Sequence, residues 1–264
     1  DNGLKLIQPF KLKDDYFISE LSLLEPDLQV VVAFRMIPEA VFTIPPLGTF
    51  NLHASLLPQY RGAAPINWAL INGETETGLT TFFIDKNIDT GNILLQEKIK
   101  ILKEDNAGSL HDKMMIKGAE LVLKTVKIIE SGNFKEIPQK DFNSSIQSLK
   151  SAPKIEKFHC KIEWNKPGIE ILNLIRGLSP SPGAFSFLKK NDRSYQLKIF
   201  EAEFYESSEQ LIPGTIVSDN RSYFKVGAQN GYLNFKSIQL EGKKRMNIRE
   251  FLAGFRELNN YVMC

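Results

Sequence analysis

Cysteine is scarce in this 264-residue chain, with Cys160 and Cys264 the only two. Two thiols are too few for a disulfide framework or a zinc cage. Long apolar runs are missing as well: no stretch approaches the ~20 residues that span a bilayer. The first residues carry no secretory leader, and a cytoplasmic setting is the expectation. Internal repeats and low-complexity tracts are also absent. The chain begins at Asp1 rather than Met, with no Gly-rich strand-to-helix turn near its start, so the opening of the fold is expected to lie upstream.

What is present is an ordinary globular composition, 42% apolar and 24% charged. The length suits one large or two modest domains. A net charge of +2 hides an asymmetry, since residues 1–153 sum to −3 and residues 154–264 to +5. The basic back half is the better candidate to meet a polyanion.

The β-branched run "LQVVVAF" (Leu28–Phe34) predicts a strand buried on both faces of a parallel sheet. "FNLHASL" reads as a second strand, "APINWALINGE" as a short helix with Pro65 in its first turn, and "GLTTFFID" and "NILLQEKIKI" as two further strands. Leu110, Met114, Leu121 and Ile128 recur at heptad-like spacing and predict a long amphipathic helix stopped by Gly132, with the Met114–Met115 pair as core filler. Residues 133–166 are polar and aperiodic, and read as a linker. The helix "GIEILNLIRGL" follows, then five short strands at intervals of about 8–12 residues, then a helix from Asn247. The expected architecture is an α/β domain over 1–132 with a doubly wound, mostly parallel sheet, and a C-terminal OB-like β-barrel over 167–264.

The chemistry concentrates in two places. In "FNLHASLLPQYRGAAPINWAL", strand alternation puts Asn51 and His53 on one face and Leu52 on the other. A structural histidine at a strand end is the bland reading; an amide and an imidazole presented to a crevice is the functional one. In "FIDKNIDTGNI", Asp85 and Asp89 flank a tight loop after the next strand, and ligands of such sheets sit outside the strand ends. Asn, His and Asp brought together can carry out acyl transfer without a metal or a covalent nucleophile. Amide and imidazole stabilise a developing oxyanion, while the carboxylate orients the imidazole and helps move a proton. A cis Leu57–Pro58 bond is expected where the chain leaves the strand sharply.

These segments, "NLHASLLPQYRGAAPINWALINGETETG" followed by "IDTG", closely resemble the formyltransferases that use 10-formyltetrahydrofolate, and among them those acting on methionyl initiator tRNA. The resemblance implies a catalytic trio of Asn51, His53 and Asp89. It implies a folate-binding segment of Ser55, Leu56, Leu57 and Pro58, with Arg35, Met36 and Ile37 where the family lines its pterin pocket. "PGTIVSDN" and the stretch through "GKKRMNIREFL" resemble the family's tRNA-binding C-terminal domain. That implies tRNA contacts at Lys154, Lys243, Lys244 and Arg245, the last three through phosphates, and Arg61 of the front half is a further expected tRNA contact. The implied reaction transfers a formyl group to the α-amino group of methionyl initiator tRNA in translation initiation. Folate serves as co-substrate, no metal takes part, and the chain acts as a monomer. Two alternatives share these residues: a sugar-nucleotide N-formyltransferase, and a non-catalytic tRNA-binding protein of the same fold.

Overall fold

The computed structural model describes residues 3–32, 36–145, 148–207 and 211–264. Two compact units share the chain, one taking 1–62, 78–99 and 114–151, the other 63–77, 100–113 and 152–264. Among the described residues no helix is long and apolar enough to cross a membrane.

In chain order come α1 (Asp15–Ser22), β1 (Gln29–Val32), α2 (Glu39–Phe42), β2 (Thr49–His53), α3 (Pro65–Ile71), β3 (Glu76–Phe83), β4 (Ile93–Lys100) and α4 (Ala107–Glu130). The four strands form one sheet in the order β1-β2-β3-β4. β1 and β2 are parallel, with Val31 opposite Asn51. β2 and β3 are antiparallel, with Phe50 opposite Phe83 and His53 opposite Thr80. β1 departs from its expectation: only Val31 of its valines is buried, while Val30 and Val32 are exposed, so this strand lies at the edge of the described sheet and is not buried on both faces. The α/β expectation holds, in a mixed sheet, because apolar runs mark strands without recording their direction. Direction matters here. The loop after β3 departs beside Phe50, three residues or about 10 Å along β2 from His53.

The alternation along β2 is as expected, with Asn51 and His53 buried on one face. On the other face Leu52 meets α4 at Gly118, where a Cβ would stand 2.8 Å from Leu52 Cδ2. The buried stripe of α4 is Leu110, Met114, Leu121, Thr125 and Ile129. It drifts from the heptad spacing because a straight helix turns every 3.6 residues. Ile128 is therefore only half-buried and Met115 is exposed, which corrects the expectation that both methionines fill the core.

The second unit continues with α5 (Gly168–Leu178), β5 (Ala184–Lys190), β6 (Arg193–Glu206), β7 (Ile216–Ser218), β8 (Phe224–Ala228), β9 (Gly231–Leu240), β10 (Met246–Asn247), α6 (Ile248–Gly254) and β11 (Val262–Met263). The strands pair antiparallel in the order β11-β5-β6-β9-β8-β7, with β10 on β9. Thr215, just before β7, bridges Val262 of β11 and brings the two ends of the sheet together into a barrel. That junction needs a glycine: Gly214 sits at φ +81°, and a Cβ there would lie 2.4 Å from the Met263 carbonyl oxygen. Phe224, Leu233, Phe235, Ile199 and Ile238 fill the interior. Asn247 and Glu250 form a capping box at the start of α6, where the sequence places it. β10 and β11, two residues each, are too short to leave a period in the sequence.

Candidate active site

β2 ends at His53, and the chain turns through Ser55–Pro58 with a cis Leu57–Pro58 bond, as expected. The turn is tied to the sheet. Thr80 Oγ donates to the Ser55 carbonyl and accepts from the Leu57 N–H, while Gln96 Nε2 donates to the Leu57 carbonyl. Ser55 is buried with its hydroxyl donating to the Gln59 carbonyl at 2.6 Å. Leu57 is 1% exposed and packs with Phe82 and Ile93. Pro58 is buried and Leu56 half-buried, its Cδ2 lying where a Cβ on Gly78 would fall. Of the expected folate segment, the Ser55 hydroxyl and the Leu57 side chain are therefore turned into the protein, because a strand end leaving the sheet must satisfy its own backbone first. Met36 is 70% exposed and Ile37 half-buried. Arg35 lies outside the described residues.

His53 is buried, and its Nε2 lies 2.9 Å from the Tyr60 carbonyl oxygen. A carbonyl only accepts, so Nε2 carries the proton. Nδ1 then faces Asp89, whose Oδ2 is 3.8 Å away. Burial pushes the His53 pKa below its ordinary value, opposed in part by the Asp89 carboxylate and the Tyr60 carbonyl. The resting imidazole is therefore neutral at neutral pH, with an unprotonated Nδ1 toward Asp89.

The same Asp89 oxygen accepts the Gly62 N–H at 2.9 Å. Gly62 has φ +126°, a conformation essentially reserved to glycine, which accounts for the Arg-Gly turn of the sequence. Asp89 itself lies at φ +53°. Because β3 runs antiparallel to β2, the Asp89 loop starts from the wrong end of β2 and folds back along the sheet to reach His53. Asp85 shapes that loop by accepting from Asn87 N–H and Thr90 Oγ. The expectation of a loop simply following a parallel strand is corrected on this point.

Asn51 is buried on the same face of β2 as His53, and its Oδ1 has no hydrogen-bond partner among the described residues. A buried amide oxygen without a partner is costly, and a bound group that donates to it removes that cost. The residue that sequence reasoning missed is Gln139, in the stretch read as linker. It opens the 3₁₀ turn Gln139–Ser145 and is 4% exposed. Its Nε2 donates to the carbonyls of Asp89 and Gly91, and its Oε1 accepts from Nε and Nη2 of Arg61. The only sequence signal was an Ile137–Pro138 step suited to a helix start, which does not single out the amide.

The expected tRNA residues of the back half are exposed. Lys154 Nζ lies 3.6 Å from Glu156. Lys243 and Lys244 stand in the turn between β9 and β10, where Gln239 Nε2 holds the Lys243 carbonyl. Arg245 is docked on the barrel, with Nε donating to Ser237 Oγ at 2.7 Å and the guanidinium 4.6 Å above the Phe200 ring. Arg61, also expected at the tRNA surface, is half-buried and donates from Nε and Nη2 to Gln139 Oε1.

Residues 3–126 match the formyl transferase family, and residues 154–256 match the formyl transferase C-terminal domain. A methionyl-tRNA formyltransferase of Parabacteroides distasonis is 50% identical over 262 residues, 99% of this chain and 81% of that protein. Among solved structures, HypX from Aquifex aeolicus in complex with tetrahydrofolic acid shares the fold, with a TM-score of 0.65 at 20% identity over 91% of this chain and 41% of its own. WlaRD, a sugar 3N-formyl transferase, reaches a TM-score of 0.60 at 25% identity over 85% of this chain and 77% of its own.

Proposed function

Because this chain belongs to the methionyl-tRNA formyltransferase family, we propose that it transfers the formyl group of 10-formyltetrahydrofolate to the α-amino group of methionyl initiator tRNA, using Asn51, His53 and Asp89. The observation that carries the residue roles is the imidazole held between the Tyr60 carbonyl and Asp89. With Nε2–H committed to Tyr60, His53 acts through Nδ1. The amine nitrogen attacks the formyl carbon, and the carbonyl π pair moves to oxygen. Nδ1 takes the proton that the new C–N bond makes acidic, and the imidazolium so formed is stabilised by Asp89 and becomes a donor to the oxyanion. The Asn51 carboxamide offers its Oδ1 to the amine N–H and its N–H to the same oxyanion. Collapse of the tetrahedral species expels the folate N10, which leaves with the proton that His53 returns.

Domain 1–132 then carries the chemistry, with Gln139 of the connecting stretch 133–166 folded against it. tRNA is met by Lys154 of that stretch and, through phosphates, by Lys243, Lys244 and Arg245 of the OB-like barrel at 167–264. Of the folate segment, Leu56 is the side chain left partly exposed to meet the ligand, beside Met36 and Ile37. A monomer in the cytoplasm fits a translation enzyme. Incubating the full-length protein with 10-formyltetrahydrofolate and either methionyl initiator tRNA or a nucleotide-linked amino sugar tests the acceptor. Formylation of the tRNA alone is expected. Formylation of the sugar alone would overturn the reading in favour of a sugar-nucleotide enzyme.

A further inference from the structure

We propose that Gln139 is a positioning residue that holds Asp89 against His53. The inference rests on the role given to Asp89 above. The register of β2 and β3 sends the Asp89 loop off about 10 Å from His53, so the loop must be held folded back. Asp89 is also a non-glycine residue in the left-handed region at φ +53°, a conformation that persists only where neighbours enforce it.

Gln139 supplies that enforcement. Its two amide protons are matched to the carbonyls of Asp89 and Gly91, both at 2.9 Å. Its oxygen takes Arg61 Nε at 3.0 Å and Nη2 at 2.6 Å. Two donors and two acceptors are the full capacity of a primary amide, so nothing of this side chain is left for a ligand. Arg61 in turn precedes Gly62, whose N–H holds the Asp89 carboxylate. Gln139 thus fixes the backbone of Asp89 and, through Arg61, the turn that fixes its side chain. A carboxamide is required. A carboxylate would set the oxygen that replaces Nε2 against two carbonyls, and an apolar leucine would leave both carbonyls and the guanidinium without this partner.

The test is a kinetic double-mutant cycle in the full-length protein with Gln139→Leu, Gln139→Glu, Asp89→Asn and the two combinations, below the melting temperature of each. The expected result is a kcat loss of about 100-fold for each Gln139 variant, the cost of ~1 Å misplacement, with KM for folate and tRNA within about 3-fold. In the Asp89→Asn background the Gln139 substitutions should cost almost nothing further. Normal kcat in Gln139→Glu alongside a crippled Asp89→Asn would overturn the inference alone. So would full additivity of the two losses. A near-normal Asp89→Asn would instead remove Asp89 from the reaction, and the inference with it. Should Gln139→Leu fail to fold, the isosteric Gln139→Glu decides.

Discussion

Replacing Leu57 with alanine separates two roles for the Ser-Leu-Leu-Pro turn. If the Leu57 side chain meets the folate, its loss weakens co-substrate binding. If it is core, its loss weakens the fold. The structure assigns it to the core, at 1% exposure against Phe82 and Ile93, with Ile137 and Phe142 packed alongside. Large-to-small substitutions of this kind cost about 2–5 kcal/mol, depending on how far the site collapses. Collapse is restricted here, because Thr80 and Gln96 pin the Leu57 backbone from both sides. A cost of about 3–4 kcal/mol is expected, which at ~2–4 °C per kcal/mol lowers the melting temperature by about 6–16 °C. Thermal unfolding followed by circular dichroism, with KM for folate measured at a temperature where both proteins are folded, reads both quantities. A melting temperature within about 2 °C of the parent, together with a folate KM raised more than about 10-fold, would refute the assignment.

Gly62→Ala should cost about 1–3 kcal/mol of backbone strain at φ +126°, or, where the turn relaxes, the Gly62–Asp89 bond and with it kcat; unchanged stability and unchanged kcat together would refute the role of the Arg-Gly turn. His53 is held neutral by burial, so below about pH 6.5 the unfolded chain takes a proton that the folded one refuses. Its contribution to stability is therefore complete above that pH and declines as pH falls toward the lowered folded value. A stability difference between parent and His53→Gln that stays constant from about pH 7 to pH 5 would contradict this. Neutralising Lys243, Lys244 and Arg245 together should weaken tRNA binding and flatten its log–log salt slope by up to ~2–3 units. An unchanged slope would leave the barrel without its assigned partner.

What could be read in advance divides along physical lines. The faces of β2, the start of α6 and the full length of α5 follow from local periodicity and capping, and the sequence marks them within a residue. The direction of β3 does not, because parallel and antiparallel partners can demand the same buried run. Nor does the support of Asp89. Gln139 gains its meaning from three segments brought together in space, while along the chain it is one amide in a polar stretch. Leu57 and Ser55 show the converse limit. A motif names the segment, and only packing tells which of its side chains turn inward.

The central claim is that Asn51 and His53 stabilise the charge that develops as the formyl group changes hands. The most direct measurement is the single-turnover rate of formyl transfer to methionyl initiator tRNA in Asn51→Ala and His53→Ala, with folate and tRNA affinities measured alongside. A rate loss of about 100–1000-fold in each, with affinities within about 3-fold of the parent, is the expected result. A rate within about 3-fold of the parent in either variant would contradict the account and remove that side chain from the chemistry.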